Sequence, residues 1–269
     1  MALNIVACIK QTPATTSIQI DPSTGQILSE GATYAISPFD EYALEEGIRL
    51  KEKITGSWVA VLTMGPPRAE EILREAIARG ADSVYHLCDA AFENSDTYAT
   101  SYILSKAIRK IQQDKGKIDL VICAKQTNDS DSGQVGPGLA GWLDWPNVSF
   151  VKKIAEITDK KIGVERMMED GTDALEMELP ALICVVKEIN EPRLPSLKGK
   201  MAAKKTAIAK WTAADIGADA AKIGQQGSPT AVIERASPPR RSGGTRIEGG
   251  TLEEKAKKFV DKLKELKLL

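Results

Sequence analysis

The sequence predicts an α/β fold in which helices flank a parallel, twisted sheet. In the first half of the chain, apolar runs of strand length alternate with amphipathic stretches of helical period. Strands that alternate with helices form parallel sheets with right-handed crossovers. The 269 residues, 42% of them hydrophobic, are enough to bury a full core. Because such sheets bind ligands beyond the carboxyl ends of their strands, the loops there are the candidate site.

Four strands and three helices are predicted in this first half. The strands lie at 3–9, 57–64, 82–87 and 117–124, and the helices lie at 38–53, 66–79 and 97–113. The first helix has a strong start signal, because Ser37 suits the N-cap, Pro38 suits position N1 and acids follow in the first turn. Gly80 ends the second helix, and Asp96 precedes the third.

Other parts of the chain predict hairpins, a loop and an arm. Short runs over 151–187 predict an antiparallel extension of the sheet, and residues 17–31 predict a hairpin outside it. The basic stretch 190–210 predicts an exposed loop, either solvated or docking on an acidic protein surface. Residues rich in Gly, Pro, Ser and Arg follow, so we divide the chain into a ligand-binding domain, 1–216, and an extended arm, 217–269. The arm ends in an amphipathic helix with Thr251 as its N-cap, and it either wraps a partner or folds back.

The stretch from Lys125 to Pro146 is the strongest candidate for a ligand loop. It follows an apolar strand, contains four glycines and precedes a predicted helix. Residues 133–136 would present backbone N–H groups at that helix N-terminus, an arrangement that binds phosphate. Ordinary surface turns use the same residue types, so from this loop alone both interpretations stay open. The loops expected to converge with it are 8–10, 37–40, 64–65 and 96–100.

Composition argues against several classes of function. A formal net charge of −1 provides no overall field that would recruit nucleic acid or an anionic membrane. The four cysteines are scattered without metal-ligand spacing, so neither a metal site nor a disulfide is indicated. The single histidine, His86, lies in a strand-like run without an evident Ser or Cys partner, which argues against hydrolase chemistry. No apolar stretch is long enough for a membrane span or a secretory signal, so we expect a cytoplasmic protein.

Eight segments of the chain occur in an order and spacing typical of one family. They are VACIK, SPFDEYALEEGIRLKEK, TMGPP, GADSVYHL, KQTNDSDSGQVGPGLAGWLDWP, VER at 164–166, LPALICVVKEINEPRLPSLKGKMAAKK and the terminal helix. With them the chain resembles the beta subunit of electron-transfer flavoproteins over essentially its whole length. The resemblance implies a fold like that of the adenine nucleotide alpha-hydrolases. It also implies an alpha/beta heterodimer that accepts electrons from dehydrogenases through a flavin and passes them on.

The resemblance further implies a buried adenine nucleotide in the parallel-sheet domain, while the alpha subunit holds most of a further FAD. The residues expected to bind the nucleotide are Cys8, Lys10, Ser37, Pro38, Phe39, Asp40, Met64, Asp96, Thr97, Thr100, Ala124, Lys125, Gln126, Asp129, Asp131, Ser132, Gly133, Gln134, Val135 and Gly136. For partner recognition it implies Glu165, Arg193 and Leu197, the last as an apolar anchor that inserts into a dehydrogenase from the loop 190–205. The dehydrogenase would be of the acyl-CoA type or another flavin dehydrogenase.

Two kinds of family member differ in this pocket. Ordinary members bind AMP there, and electron-bifurcating members bind a second FAD, which would add NADH and ferredoxin or flavodoxin as partners. Residues 134–137 and 96–101 are similar to the bifurcating kind, whereas residues 143–146 and the loop 190–205 are closer to the ordinary kind. We favour FAD in this pocket, with AMP as the alternative. A more distant alternative is an adenine-nucleotide-binding regulatory module with the same sheet.

Overall fold

The computed structural model describes residues 2–14, 19–20, 27–28, 33–234 and 243–269. The chain divides into two compact units. The larger unit consists of Met1–Gln19 and Ile27–Ile233, and the smaller consists of Ile20–Gln26 and Glu234–Leu269. The main sheet and all the candidate ligand loops belong to the larger unit.

The elements are numbered in chain order. The strands are β1 (Asn4–Cys8), β2 (Gln11–Pro13), β3 (Gln19–Ile20), β4 (Ile27–Leu28), β5 (Tyr34–Ile36), β6 (Trp58–Met64), β7 (Ser83–Leu87), β8 (Leu120–Ala124), β9 (Asn147–Ile157), β10 (Lys161–Met167), β11 (Thr172–Glu178), β12 (Ala181–Val185) and β13 (Ala209–Trp211). The helices are α1 (Asp40–Lys53), α2 (Glu70–Arg79), α3 (Thr97–Lys115), α4 (Val135–Leu143), α5 (Leu197–Lys205) and α6 (Leu252–Glu265). The four strands and three helices predicted in the first half are all present, with bounds shifted by a few residues.

The main sheet has nine strands in the order β11-β10-β9-β12-β8-β1-β6-β7-β13. All neighbours from β9 across to β13 pair in parallel, which confirms the predicted parallel sheet. The chain leaves β1 for β6 and β7 on one side, and then returns through α3 to β8 on the other side. The strand order therefore reverses between β1 and β8, and a ligand site is expected outside their carboxyl ends.

Helices cover both faces of this sheet. Ile5 packs in one hydrophobic cluster with residues of α1 and α2, such as Leu44 and Leu73. Its neighbour Val6 packs in the opposite cluster with residues of α3 and α4, such as Ile108. Successive strand residues point to opposite faces, so β1 is buried on both sides, as its continuous apolar run predicts.

The first helix begins later than predicted, and its predicted N-cap is wrong. The helix starts at Asp40, after Phe39, and no side chain caps it. The Ser37 N–H donates to the Lys10 carbonyl at 2.9 Å, and the Ser37 carbonyl accepts from Asp40 N–H at 2.8 Å. Ser37 is thereby held at the end of β5, and its buried hydroxyl finds no partner among the described residues. The tie to Lys10 joins the first helix to the end of β1.

The predicted antiparallel extension is formed by β9, β10 and β11, which pair in antiparallel order at one edge of the sheet. The prediction was wrong for β12, which lies in parallel between β8 and β9. All five residues of β12 are buried. A strand buried on both faces suits the interior of a parallel sheet and does not suit a hairpin with one solvated face.

The larger unit runs past the predicted boundary at residue 217. Asp219 N–H donates to the Tyr102 hydroxyl at 3.0 Å, and Gly224 N–H donates to Ser95 Oγ at 2.9 Å. These bonds attach the segment 217–230 to the first turns of α3 and to the loop that precedes it.

The smaller unit contains the terminal helix α6. Its predicted N-cap is confirmed, because Thr251 Oγ1 accepts from Glu254 N–H and the Glu254 carboxylate accepts from Thr251 N–H. This reciprocal pair satisfies two of the backbone donors that a helix leaves free at its start. Elsewhere, β3 and β4 form a two-stranded sheet apart from the main one, as the hairpin prediction requires. The Pro22 and Gly25 turn of that hairpin lies outside the described residues.

Candidate functional site

A cavity of about 450 Å³ opens where the strand order reverses. Its floor is formed by the carboxyl ends of β1, β6 and β8, and its walls by the loop before α4 and the start of α3. The lining residues are Cys8, Ile9, Lys10, Asp40, Met64, Ser95, Asp96, Thr97, Thr100, Leu104, Cys123, Ala124, Lys125, Gln126, Thr127, Ser130, Ser132, Gly133, Gln134, Val135, Gly136 and Thr230. The volume falls in the range of small-molecule pockets.

Most of the predicted ligand residues line this cavity, so the five predicted loops do converge. Five of the predicted residues do not line it: Ser37, Pro38, Phe39, Asp129 and Asp131. Ser37 is buried, and Pro38 is exposed. Phe39 lines a separate cavity of about 550 Å³ together with Phe150 and Met168. Lys125 lies between the two cavities, with its Nζ 5.4 Å from the centre of the Phe39 ring.

The loop before α4 is held in shape by its own side chains. Gln126 Nε2 donates to Asp131 at 2.7 Å, and Thr127 Oγ1 donates to Asp129 at 2.7 Å. Asp131 and Gly133 adopt left-handed backbone conformations, with φ of 50° and 63°. Asp131 and Asp129 therefore shape the loop that lines the cavity without lining it themselves. A loop whose conformation is already fixed loses little further entropy when a ligand binds.

The loop delivers an uncapped helix N-terminus to the cavity. Gln134 is the N-cap residue of α4, and no side chain in the described part of the chain caps the start of this helix. Val135 and Gly136 both line the cavity, which places these donors and the positive end of the helix dipole at its wall. Gly136 lies so close to β12 that a Cβ there would be 2.3 Å from Cys184 Sγ. Glycine is needed at this position because it lets α4 pack directly on the sheet.

Charged groups cluster on the β1 side. Lys10 Nζ pairs with Asp129 at 2.5 Å, and Lys10 N–H donates to the Asp40 carboxylate at 2.8 Å. Asp40 is 4% exposed, and burial raises its pKa to about 8 against the opposing effect of Lys10. Partial burial disfavours the charge on Asp129, but the hydrogen bond and the positive charge of Lys10, together with the hydrogen bond from Thr127, lower the pKa of that carboxyl. At neutral pH Asp129 is ionised, whereas Asp40 is mostly protonated.

The opposite wall depends on a residue far away in the sequence. One oxygen of Asp96 caps α3 by accepting from Tyr98 and Ala99 N–H, and the other accepts from Thr230 N–H at 3.0 Å and Thr230 Oγ1 at 2.9 Å. Although desolvation opposes it, these hydrogen bonds lower the pKa of Asp96. Ser228 Oγ accepts from Asp96 N–H. Thr230 is thus fixed at the cavity, although it lies in the segment that we predicted as part of the arm.

The cysteines at the floor are buried thiols. Cys123 lies beside Cys8 on the neighbouring strand and is paired in register with Cys184. The hydrogen bond with Cys8 and burial both raise the pKa of Cys123, and burial raises that of Cys184. A thiol held in its protonated form is a poor nucleophile. His86 does not line the cavity; its Nε2 lies 3.0 Å from the Gly65 carbonyl, and burial lowers its pKa.

Sequence reasoning missed seven lining residues: Ile9, Ser95, Leu104, Cys123, Thr127, Ser130 and Thr230. Most of them are direct neighbours of predicted residues and share their loops, so wider loop bounds would have included them. Thr230 is different, because nothing local in its Gly- and Pro-rich surroundings marks it. Chemically, the cavity combines a helix N-terminus, a lysine and hydroxyl groups with an apolar floor. This set suits a ligand with phosphate groups and a flat apolar ring.

The predicted recognition loop ends as a helix. Residues 190–196 are extended, and α5 begins at Leu197 with Ser196 as its N-cap. Leu194 and Leu197 are 86% and 78% exposed, as predicted for an exposed loop. Arg193 is bound within the chain, to Glu45 and Glu52. Glu165 pairs with Lys153 across β9 and β10 at 2.5 Å.

No helix in the described ranges is both long and apolar enough to span a membrane.

Comparison with known proteins identifies similar chains of nearly the same length. Residues 24–216 match the family described as electron transfer flavoprotein domain. The CarD subunit of a caffeyl-CoA reductase–Etf complex from Acetobacterium woodii is 43% identical over 263 residues, 98% of each chain. An electron transfer flavoprotein subunit beta from Thermoanaerobacterium thermosaccharolyticum is 44% identical over 262 residues, 97% of this chain and 98% of that one. Protein FixA from Azotobacter vinelandii is 42% identical over 243 residues, 89% of this chain and 86% of that one.

Proposed function

We propose that the chain, which belongs to the electron transfer flavoprotein family and matches its beta subunits, forms a heterodimer with an alpha subunit. In this heterodimer it carries electrons between dehydrogenases and acceptors. One observation supports this most directly. The five loops expected to bind a nucleotide meet at one cavity, at the reversal of strand order, with an uncapped helix N-terminus in its wall.

We propose an adenine nucleotide as the ligand of this cavity, with FAD favoured and AMP as the alternative. The residues present fit such a group. The N–H groups of Val135 and Gly136 would bind phosphate oxygens, and the Lys10 ammonium lies nearby with its charge balanced by Asp129. The apolar floor at Cys8 and Cys123 would accept a flat ring. FAD is favoured because residues 134–137 and 96–101 are similar to those of electron-bifurcating members.

The protein's contribution to electron transfer is binding, positioning and exclusion of water. A bound flavin would supply the redox chemistry itself. The Cys123 thiol at the cavity floor is a poor nucleophile, because its hydrogen bond with Cys8 and burial raise its pKa. Asp40 keeps a proton and can donate it to a hydrogen bond, whereas Lys10 and Asp129 hold the loop and the strand end together.

Partners follow from the exposed surfaces. Leu194 and Leu197 stand out from a basic segment, which suits a transient complex with an acyl-CoA-type or other flavin dehydrogenase. The name of the Acetobacterium woodii relative places that protein in a complex with a reductase. We propose that the residues after 233, with α6 at their end, wrap the alpha subunit. If the cavity holds FAD, we further propose NADH and a ferredoxin or flavodoxin as partners.

The test is to co-express this chain with its alpha subunit, purify the complex and measure its visible spectrum and nucleotide content. Two FAD per heterodimer is the expected result. If the heterodimer contains one FAD and one AMP, the electron-carrier function stands and the ligand of this cavity is AMP. A colourless preparation that binds adenine nucleotide would refute the electron carrier and favour a regulatory nucleotide-binding module.

A further inference from the structure

Arg193 uses its charged group entirely within the chain. Its Nε and Nη2 donate to the two oxygens of Glu45 at 2.9 Å and 3.0 Å, and its Nη1 and Nη2 donate to the two oxygens of Glu52 at 2.6 Å and 2.8 Å. The backbone N–H of Arg193 donates to Glu45 as well, at 3.1 Å. Two carboxylates of α1 therefore each accept a bidentate pair of hydrogen bonds from the same guanidinium, the strongest geometry available to arginine.

Asn190 fastens the start of the same segment to the same helix. Its Nδ2 donates to the Tyr42 carbonyl at 3.1 Å and to the Glu46 carboxylate at 2.9 Å. Both contacts are partly buried. The chain is thus attached to α1 at two points, three residues apart, before it reaches Leu194.

The far end of the segment is fastened to α2. Gly199 lies directly on the backbone of Ala78, where an added Cβ would be 2.1 Å from the Ala78 carbonyl oxygen. Arg74 Nη1 donates to the Ala203 carbonyl at 2.7 Å, which ties α5 to α2 one turn further on. Between these two attachments, the side chains of Leu194 and Leu197 project into solvent.

We propose that Arg193 is a positioning residue: it holds the segment 194–197 in the conformation that presents Leu194 and Leu197 to the electron-transfer partner, and it does not contact that partner itself. This rests on the proposed function. Two exposed leucines on a free loop would have to be ordered at each encounter, at a cost in affinity. A segment fixed at both ends avoids that cost and suits a complex that forms and dissociates rapidly.

The experiment uses the purified heterodimer and a substrate-reduced acyl-CoA dehydrogenase as the electron donor. Arg193→Ala should raise KM for the dehydrogenase about fivefold, with kcat at saturating donor within about twofold of the wild type. Glu52→Gln should raise KM in the same direction by a smaller factor, because it weakens the grip on Arg193 without altering the segment. Arg193→Lys should lie between Arg193→Ala and the wild type, since lysine cannot make paired contacts with both carboxylates.

Hydrogen exchange of the heterodimer provides a readout that needs no partner. Amides of 194–200 should exchange faster in Arg193→Ala and Glu52→Gln, and at the wild-type rate in Lys198→Ala, which removes an exposed charge from the same segment. Unchanged exchange in Arg193→Ala would overturn the proposal. So would an unchanged or lower KM in Glu52→Gln, because freeing Arg193 from Glu52 would then not harm docking.

Leu197→Ala separates this proposal from the one on which it rests. It should raise KM without altering exchange, because the side chain is exposed and makes no attachment to α1 or α2 through its backbone. If Leu197→Ala leaves KM unchanged, the docking role of the whole segment is wrong. If Leu197→Ala raises KM while Arg193→Ala and Glu52→Gln do not, the docking role stands and only the positioning role of Arg193 is wrong.

Discussion

Gly136→Ala should destabilise the protein and weaken its hold on nucleotide at the same time. The new Cβ would be 2.3 Å from Cys184 Sγ and also close to Cys123 and Leu182. All three neighbours are buried strand residues, so none can swing aside as a flexible side chain would. Either α4 must move away from the sheet or the sheet must deform. Because Gly136 is in the first turn of α4, that movement also displaces the N–H donors at the cavity wall.

The size of the effect follows from two opposing contributions. Overpacking a tight interior costs about 1–3 kcal/mol, and this contact is close enough to reach the upper part of that range. Alanine is more favourable than glycine in a helix by about 1 kcal/mol, which offsets part of the loss. We expect a net loss of about 2 kcal/mol, which lowers Tm by about 4–8 °C for a domain of this size.

Gly141→Ala is the matched control on the same helix. Gly141 is exposed, and a Cβ there would meet nothing within 4 Å. This variant should gain about 0.5–1 kcal/mol from helix propensity and retain its nucleotide. The assay is thermal unfolding of the purified heterodimer together with the ratio of bound nucleotide to protein. If Gly136→Ala matches the wild type in both Tm and nucleotide content, the close approach of α4 to β12 does not position the N–H donors of α4 at the cavity wall.

Two further predictions concern single groups at the cavity. Because burial raises the pKa of Asp40 from 3.8 to about 8, the native protein keeps a proton that the unfolded chain loses, so the wild type loses stability as the pH rises from about 4 to about 8. Asp40→Asn cannot ionise, so its free energy of unfolding should rise relative to that of the wild type as the pH increases across this window. If the two free energies, measured by urea unfolding, change in parallel with pH, Asp40 is not a buried neutral acid. Thr230→Val removes the 2.9 Å bond to Asp96 and should weaken nucleotide binding about fivefold to tenfold in a titration. The control is Thr206→Val, whose hydroxyl donates to the Ala202 carbonyl of α5 and which should bind nucleotide as the wild type does. An equal loss of affinity in both variants would remove the assigned role of Thr230.

Much of the site could be predicted because its loops carry local signals. Asp96 opens α3 as a capping residue, and it does so in the structure. The glycines of 133–136 mark the turn into α4, where Gly133 adopts a left-handed conformation. Parallel strands end at one edge of the sheet, so the loops that follow neighbouring strands lie close together there.

The errors arose where a local signal competes with a partner that is remote in sequence. Ser37 has the residue type of an N-cap, but its backbone N–H donates to the carbonyl of Lys10, which lies between β1 and β2, and the helix begins three residues later. In the sequence Arg193 is one positive charge in a basic loop, and no nearby residue marks its partners. In the structure it binds Glu45 and Glu52, which lie 148 and 141 residues away in the chain. Local sequence shows that a charge is present and does not show what it faces.

The amino-acid sequence by itself determined the positions of the strands and helices, the parallel sheet and the loops at its carboxyl edge. It could do so because hydrophobic period and turn residues act over a few neighbouring residues. Only the tertiary structure decided that β12 lies between β8 and β9, that Thr230 lines the cavity wall and that Arg193 binds Glu45 and Glu52 of α1. Period shows which side of an element is buried, whereas the choice of neighbour depends on packing between segments that are remote from each other in the sequence.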